Sequence, residues 1–582
     1  GFTASGGAAG SGAGMRNDGV SPAVTNCIFT NNAATANGGG MYNANGAAPA
    51  VTGCAFTANT AASGGGMYNT ASSPALANCT FTNNTLTGAN HGAGMHNEAS
   101  SPTLTDCTFT GNVASRFGGG MSNHTASAPA LTRCAFSANR ANAPSSFGGG
   151  GALYNAGATV TATACTFDGN YTMGTYANAG GLYNTASSSM TLTDCAVANN
   201  YNDPAGSNPY GGGVSNSGSY LAATRCQFTG NTTGSGGGAL SSTGAATVYL
   251  NACTLSGNSA PGGAAFMNYA VLTAVNCLIH DNSSSVYSAS GGATALVNCT
   301  VANNGVGACL YDGSLTLTNC ILWNTGAEIS NFTSSPLTVT NCCVEGGFAG
   351  GTDIVSGDPL FVNAAGGNFQ LQPASPCVNA GLAAGAPATD LLGIVRPIGA
   401  GYDIGAYEAS GVTAWPTASG IVYGQTLAGS TLTGGAALIP GAFAFQDTSI
   451  APNAGVYIAT VIFTPDDLGG NPAATGVATV AVAKATPSVT TWPTASSIVY
   501  GQKLKSSTLS GGVAAVPGTF AFNSPNVMLD AGTYLATVKF TPADTANYLT
   551  VTHAVFVTVN KALPTISPWP AASAIGQGQS LA

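Results

Sequence analysis

Gly64-Gly-Gly-Met-Tyr-Asn69, followed by Pro74-Ala-Leu-Ala-Asn-Cys79-Thr-Phe81-Thr-Asn-Asn84, is the stretch on which the fold turns. The pattern returns along the chain as Pro-x-Leu-Thr-x-Cys-x-Phe-Thr-x-Asn, a variable loop, and Gly-Gly-Gly-Met-Tyr-Asn. Its register is marked by Cys27, Cys54, Cys79, Cys107, Cys134, Cys165, Cys195, Cys226, Cys253, Cys277, Cys299, Cys320 and Cys342, spaced 21 to 31 residues apart. Two residues after each Cys comes an apolar side chain, from Phe29 and Phe56 to Val301 and Leu322. Five after comes Asn, from Asn32 and Asn59 to Asn282 and Asn304. The Leu-Thr-x-Cys-x-Phe run reads as one strand with Leu, Cys and Phe on one side. Asn at its fixed offset and the Gly tract read as turn chemistry that tolerates positive φ.

Short strands and turns at a fixed period, with helix signals nearly absent, predict an all-β parallel solenoid in which no coil buries its inner face alone. The cysteines imply about 13 coils, hence a rod on the order of 60 Å long at ~4.8 Å per coil. One Cys per coil makes an inward ladder of small hydrophobes. Neighbouring Cα atoms would lie within disulfide range, but in-register parallel side chains point the same way. Free buried thiols are therefore expected, with some disulfides as the alternative. Cys309, Cys343 and Cys377 fall off the ladder, and a Cys343 to Cys377 bridge would pin the end of the solenoid.

Composition narrows the function. Of 582 residues 82 are Gly and only 5% are charged, with 11 Lys or Arg against 20 Asp or Glu, where soluble domains average about 25% charged. Net charge is -9 with a pI near 4.7, which argues against nucleic acid, whose binding needs a basic face. There is no run of 18 apolar residues for a membrane span. Residues 1–408 hold 15 acids and six arginines, and residues 409–582 hold five acids and five lysines. All 16 cysteines precede residue 409, so two building plans share the chain.

The alternation of Gly-Gly-x-apolar with Phe-x-x-Asn tetrapeptides, as in Gly38 to Met41 with Phe56 to Asn59, resembles polymorphic outer membrane protein passengers and related right-handed β-helix repeat proteins of bacteria. Asp358-Pro-Leu-Phe-Val-Asn363, Ser375-Pro-Cys-Val-Asn-Ala-Gly381, Arg396-Pro397 and Asp403-Ile-Gly-Ala-Tyr-Glu408 resemble the closing segment of secreted "choice-of-anchor Q" β-helix proteins. The late coils, with Val197, Leu255 and Trp323-Asn324, drift from the pattern. The resemblance implies an exported surface or extracellular protein and supplies no catalytic residue.

A second repeat follows. Trp415-Pro416, Trp492-Pro493 and Trp569-Pro570 are 77 residues apart, and Tyr423-Gly-Gln425 returns as Tyr500-Gly-Gln502 and Gln577-Gly-Gln579. Asn453-Ala-Gly455 and Asp530-Ala-Gly532 precede the alternating strands Tyr457 to Phe463 and Tyr534 to Phe540; Lys484-Ala485 and Lys561-Ala562 close the units. Short strands, turn signals and unit length predict small β-sandwiches, and the units resemble tandem bacterial Ig-like spacer repeats. Phe2-Thr3 starts inside a coil and Ala582 falls inside a third unit, so the chain reads as a segment of a longer protein.

Carbohydrate chemistry needs paired carboxylates or a strong base. The solenoid's acids are scattered: Asp18, Glu98, Asp106, Asp168, Asp194, Asp203, Asp281, Asp312 and Glu328. Asp106 with Arg133, and Asp194 with Arg225, immediately precede ladder cysteines in consecutive coils and should stack as outward ion pairs of small energetic weight. His91, His96, Glu98 and His124 form the densest polar group. A transition-metal site is conceivable there, although the column Tyr42, Tyr68, His96, Ser122 and Tyr154 also reads as merely tolerant. Asn-x-Ser/Thr triplets at Asn78, Asn123, Asn231 and Asn331 are expected by chance, and the Gly tracts precede strands rather than opening a phosphate-binding helix.

The reading is an all-β chain: a right-handed parallel β-helix at 1–345, its C-terminal cap at 346–408, Ig-like repeats at 409–486 and 487–563, and the start of a third at 564–582. Its expected function is a non-enzymatic, extracellular cell-surface structural or adhesin-like role, with head-to-tail fibre assembly, other surface proteins or glycans as partners. A carbohydrate-active β-helix enzyme or glycan-binding module is the alternative. No catalytic, cofactor or metal residue is assigned.

Overall fold

The computed structural model describes all residues except 144–146, 175, 203–209, 399, 410, 438–439, 467–472 and 581–582. The chain divides into two compact units, Gly1–Gly411 and one that begins at Val412. No helix among the described residues is long and apolar enough to cross a membrane; the helical turns described are three-residue 3-10 segments.

In the first unit one coil runs through four short strands, Met67–Thr70, Ala75–Ala77, Thr80–Thr82 and Thr85–Leu86. Each pairs in parallel with its equivalents in neighbouring coils, Phe56 to Phe81 to Phe109 for example. Among the described residues this builds a phenylalanine sheet of 14 strands, leucine and methionine sheets of 13 strands each, and a short sheet of eight. The phenylalanine sheet has one strand more than the 13 expected coils, because Thr3–Ser5 adds a rung ahead of the Cys27 coil.

Two expectations about the repeat are corrected. Leu and Cys are three residues apart and cannot share a face of one flat strand; the chain breaks there into two strands at a left-handed residue just before Cys. Asn78, Asp106 and Arg133 occupy this corner with φ of 53°, 53° and 49°. The Asn five residues after Cys is likewise not the turn residue. Its predecessor takes the left-handed conformation, as at Asn83 (φ 54°) and Ala138 (φ 52°), and the Asn itself points inward, fully buried.

The buried asparagines form a ladder from Asn32 to Asn324. Asn139 shows the bonding: its Nδ2 donates to Phe109 O (2.8 Å) and Asn170 Oδ1 (2.9 Å). Its Oδ1 accepts from the backbone N (3.1 Å) and Nδ2 (2.8 Å) of Asn112. All four bonding positions of the amide are filled without water, as burial requires. A second inward column, Asn17, Asn43, Asn69, Asn97, Asn123 and Asn155, links Nδ2 to Oδ1 at 2.7–2.8 Å.

Beside the ladder, Phe29, Phe56, Phe81, Phe109, Phe136 and Phe167 stack with successive centroids 4.8, 4.6, 4.5, 4.5 and 5.2 Å apart, each contact adding ~0.5–1.5 kcal/mol beyond area burial. Gly40, Gly66, Gly94 and Gly120 lie against this stack: a Cβ on Gly66 would come within 2.8 Å of Phe81 and 2.5 Å of Gly94 O. All 16 cysteines are free. Ladder thiols donate to carbonyls of the preceding coil, as Cys253 does to Ala223 O at 3.4 Å.

Residues 346–408 do more than cap the open end. Phe348 and Ile354 pack against the end of the core, and Val344 N donates to Val355 O at 2.9 Å. The remainder folds back along the outside of the phenylalanine sheet. Asn319 Oδ1 accepts from Leu382 N (2.7 Å), its Nδ2 donates to Leu382 O (2.8 Å), and Ala406 N donates to Thr300 Oγ1 (3.0 Å). The outward position of Thr80, Thr108 and Thr166 accordingly becomes Leu278, Ile321 and Cys343 in late coils, and that of Thr30, Thr57 and Thr82 becomes Ala302, all buried. Cys343 and Cys377 meet in one buried cluster with Ile321, Leu371 and Ile404, both as free thiols. The late drift is thus a docking face.

The second unit repeats one arrangement. Ile421–Val422, Ala474–Ala483, Gly455–Pro465 and Gly441–Phe445 form a four-stranded sheet, whose first pair is parallel and the others antiparallel. Ile498–Val499, Val551–Asn560, Gly532–Pro542 and Gly518–Phe522 repeat it. Val461, Val480 and Val482 anchor one core, and Val538, Val557 and Val559 the other. Tyr-Gly-Gln is a turn with glycine at φ 91° and 90°, closed where Gln425 and Gln502 Oε1 accept from Val422 and Val499 N at 2.7 and 2.8 Å.

Replacing Asn139 by Ala strands the Phe109 carbonyl and two donors of Asn112, and should cost about 3 kcal/mol or more. Exposed Thr110→Ala should stay within about 0.5 kcal/mol. Urea unfolding midpoints of the two variants test this; equal effects would refute the ladder's role.

Candidate functional site

The His91 group assembles on the outer face of the methionine sheet. In-register pairing sets His96 between Tyr68 and Ser122 and places Glu98 opposite His124. His91 arrives from the loop before the strand, bridged to Phe117. Ring centroids lie 4.8 Å apart for His91 and His124, 5.0 Å for His96 and His124, and 6.2 Å for His91 and His96. Tyr68, Phe117 and Tyr154 enclose them at 4.8, 5.3 and 6.0 Å. Ser122 Oγ contacts His124 Nε2 at 2.7 Å, and Glu98 Oε2 lies 3.8 Å from His96 Nε2.

Burial, reinforced by the other imidazoles, holds the pKa of His91 down to about 4 and that of His124 down to about 3, and burial lowers His96 as well. The His96 hydrogen bond depresses Glu98 to about 2. At neutral pH the group is three neutral rings beside one carboxylate, poorly matched to acid-base work near pH 7. Among the described residues no three His, Cys, Asp or Glu side chains gather as a metal site would require. His91 and His96 Nδ1 are buried without a hydrogen-bond partner.

The two outward ion pairs that spacing predicts are formed, and three further acids find partners of their own. Arg133 Nε and Nη2 each reach Asp106 at 2.8 Å, and Arg225 reaches Asp194 at 2.7 and 2.8 Å. Asp18 pairs with Arg16 at 3.0 Å, Asp168 accepts from Asn199 at 2.8 Å, and Asp281 meets His280 at 2.7 Å. Asp203 lies outside the described residues.

Two groups escaped sequence reasoning. A pocket of about 340 Å³ at the C-terminal end of the solenoid is lined by Glu328, Ile329, Val344, Glu345 and Phe348. Burial raises the Glu328 carboxyl above its ordinary range, against the lowering effect of Asn324. Its Oε1 accepts from Asn324 N at 2.6 Å and its Oε2 from Asn324 Nδ2 at 2.7 Å. Glu328 therefore supplies the acceptor that the next Asn of the ladder would supply. The signal was available: the offset of five already fails at Cys320, where Thr325 stands and Asn324 comes one residue early, and no Asn stands four or five residues after Cys342.

The second group lies inside the folded-back segment. Arg396 and Glu408 pair at 2.7 Å with both side chains fully buried. Arg396 Nη2 donates to Gly405 O (2.8 Å), while Glu408 Oε2 accepts from Ile398 N (2.8 Å). Asp403 accepts from Asn379 N at 2.7 Å, and burial followed by Glu408 raises its pKa to about 7. Enclosed this way, the group ties loops together and is not open to substrate. Spacing could not reveal it, because chain folding alone brings 390–408 onto one another.

Because the imidazoles are held neutral, the unfolded chain takes up more protons below its ordinary His pKa. The coils around residue 96 should therefore lose stability as pH falls from about 6.5 towards about 4, and Glu98 should add a loss from about 4.5 to about 2. His124 followed by NMR should remain neutral at pH 5. Titration near 6.5 would show that the cluster is open to solvent.

The family described as "Right handed beta helix region" matches residues 11–197 and 180–344. Among solved structures, the crystal structure of pectate lyase Pel9A is similar at 12% identity with a TM-score of 0.33, covering 64% of this chain and 88% of that one. No curated protein matches the sequence. With the family spanning more than half of its length, the chain belongs to the right-handed β-helix proteins.

Proposed function

We propose that this is a secreted bacterial surface protein with a structural or adhesin-like role, in which a stiff β-helix is carried on Ig-like spacer repeats. The observation that carries the reading is the state of Glu328. It shares a pocket with Glu345, yet both its oxygens are taken by Asn324. The carboxylate best placed for chemistry is thus engaged in ending the ladder. The imidazole cluster supports the same reading, since its rings are enclosed by aromatic neighbours and held neutral. Glycans and other surface proteins are partners consistent with an exterior rich in Asn, Thr and Ser and poor in charge.

The alternative is a carbohydrate-active enzyme, favoured by that same pocket. A carboxyl with a raised pKa beside a second carboxylate is the arrangement that hydrolysis of a glycosidic bond uses. The two readings separate on Glu328→Gln. On the structural reading the wild type turns over no polysaccharide in a panel that includes polygalacturonate. Glu328→Gln then lowers the unfolding midpoint of the last coils, costing about 1–2 kcal/mol as an acceptor is lost. Turnover by the wild type that disappears in both Glu328→Gln and Glu345→Gln would overturn it.

A further inference from the structure

The two repeats of the second unit meet through a plug and a socket. The plug is the Asp544-Thr-Ala-Asn-Tyr548 loop between the long strands Gly532–Pro542 and Val551–Asn560. The socket lies on the preceding repeat. Asn547 Oδ1 accepts from Ala454 N at 2.8 Å, and Asn547 O accepts from Ala485 N at 2.9 Å. Leu549 N donates to Ala485 O at 2.9 Å, and Lys484 Nζ donates to Thr545 O at 2.6 Å. Tyr548 sets its ring edge-on against Tyr423 with centroids 5.3 Å apart. Asp544 braces the plug from within, accepting from Asn547 N at 3.1 Å and Nδ2 at 2.9 Å.

The period of 77 carries every socket residue into the next repeat: Tyr423 becomes Tyr500, Asn453-Ala-Gly455 becomes Asp530-Ala-Gly532, and Lys484-Ala485 becomes Lys561-Ala562. Their surroundings differ in one respect. Where the plug sits, Tyr423, Ala454 and Ala485 are partly shielded; Tyr500, Ala531 and Ala562 are exposed. The same donors and the same aromatic edge are therefore present a second time with nothing on them.

We infer that residues Tyr500, Asp530–Gly532 and Lys561–Ala562 form a second socket, whose occupant is the Asp-x-x-Asn-Tyr loop of a further repeat of this type. The occupant follows from elimination as well as from continuity with the existing joint. The first repeat has Gly470 and Asn471 where the second has Asn547 and Tyr548, so it lacks the plug sequence. The plug of the second repeat is already engaged within its own chain. A bare segment without the loop offers neither the Asn acceptor nor the Tyr edge. Each repeat that carries a plug seats on the one before it, and the joint fixes their relative orientation through five hydrogen bonds, the fifth from Asn547 Nδ2 to Asn453 Oδ1 at 3.4 Å, and a ring contact. This deepens the spacer reading and rests on it for its biological sense, but its test does not depend on that reading.

The experiment extends the full chain so that residues 487–563 occur twice in succession, which restores the natural period after Leu563, and measures amide hydrogen exchange. Exchange at Ala531 and Ala562 should slow ~10-fold or more relative to the unextended chain, as expected for amides that gain a buried bond. Asn→Ala at the added copy of Asn547 should return Ala531 to its original rate. Asn547→Ala in the original joint should speed exchange at Ala454, which serves as the internal standard. Unchanged rates at Ala531 and Ala562 in the extended chain, with Ala454 still protected, would overturn the inference while leaving the enzyme question untouched.

Discussion

A buried amide with four bonding positions has to find four partners, and the solenoid is organised around meeting that requirement once per coil. Each ladder Asn gives its two protons up and down the stack and takes two from the coil before it, so no coil is complete until its neighbours are in place. This ties stability to the array rather than to the coil. It also makes the ends special, because the last member lacks an acceptor. At one end Gly7 N donates to Asn32 Oδ1 at 2.9 Å, and at the other Glu328 closes the series.

Geometry around the ladder follows from it. For Asn, Phe, Cys and Leu all to face inward, the backbone has to change direction twice in a few residues, and left-handed corners do this. Their occupants are small or short and polar for the most part, but Arg133 and Arg225 also take the conformation and reach outward to Asp106 and Asp194. The same corner positions become Asn276, Asn298 and Asn319 in late coils, where their side chains bond the folded-back segment instead of solvent.

Low charge content is consistent with this plan. Packing inside the coils relies on neutral amides, thiols and rings, and the outer columns need only occasional ion pairs. Among the described residues charge is concentrated at depth around the Arg396 and Glu408 pair, where breaking either partner would leave a buried ion uncompensated. There it joins distant loops, with Asp403 and Asp390 accepting the backbone donors that those loops would otherwise leave unmet.

The parallel solenoid, its register, the outward ion pairs and the 77-residue duplication were all legible in residue order, because a repeat writes the same local physics many times over and period alone reveals which positions share a face. The division of the Leu-Cys-Phe run into two strands was not, since a three-residue spacing looks like alternation until φ is known. Nor was the inward role of Asn32 to Asn324, because Asn suits both a turn and a buried ladder and only neighbouring coils decide between them. The docking face under residues 358–408 and the seating of Asn547 on the preceding repeat came from tertiary structure alone, and for Glu328 spacing showed only that the ladder stops, not what ends it. Each depends on which side chains folding brings together, and sequence spacing carries no information about those distances.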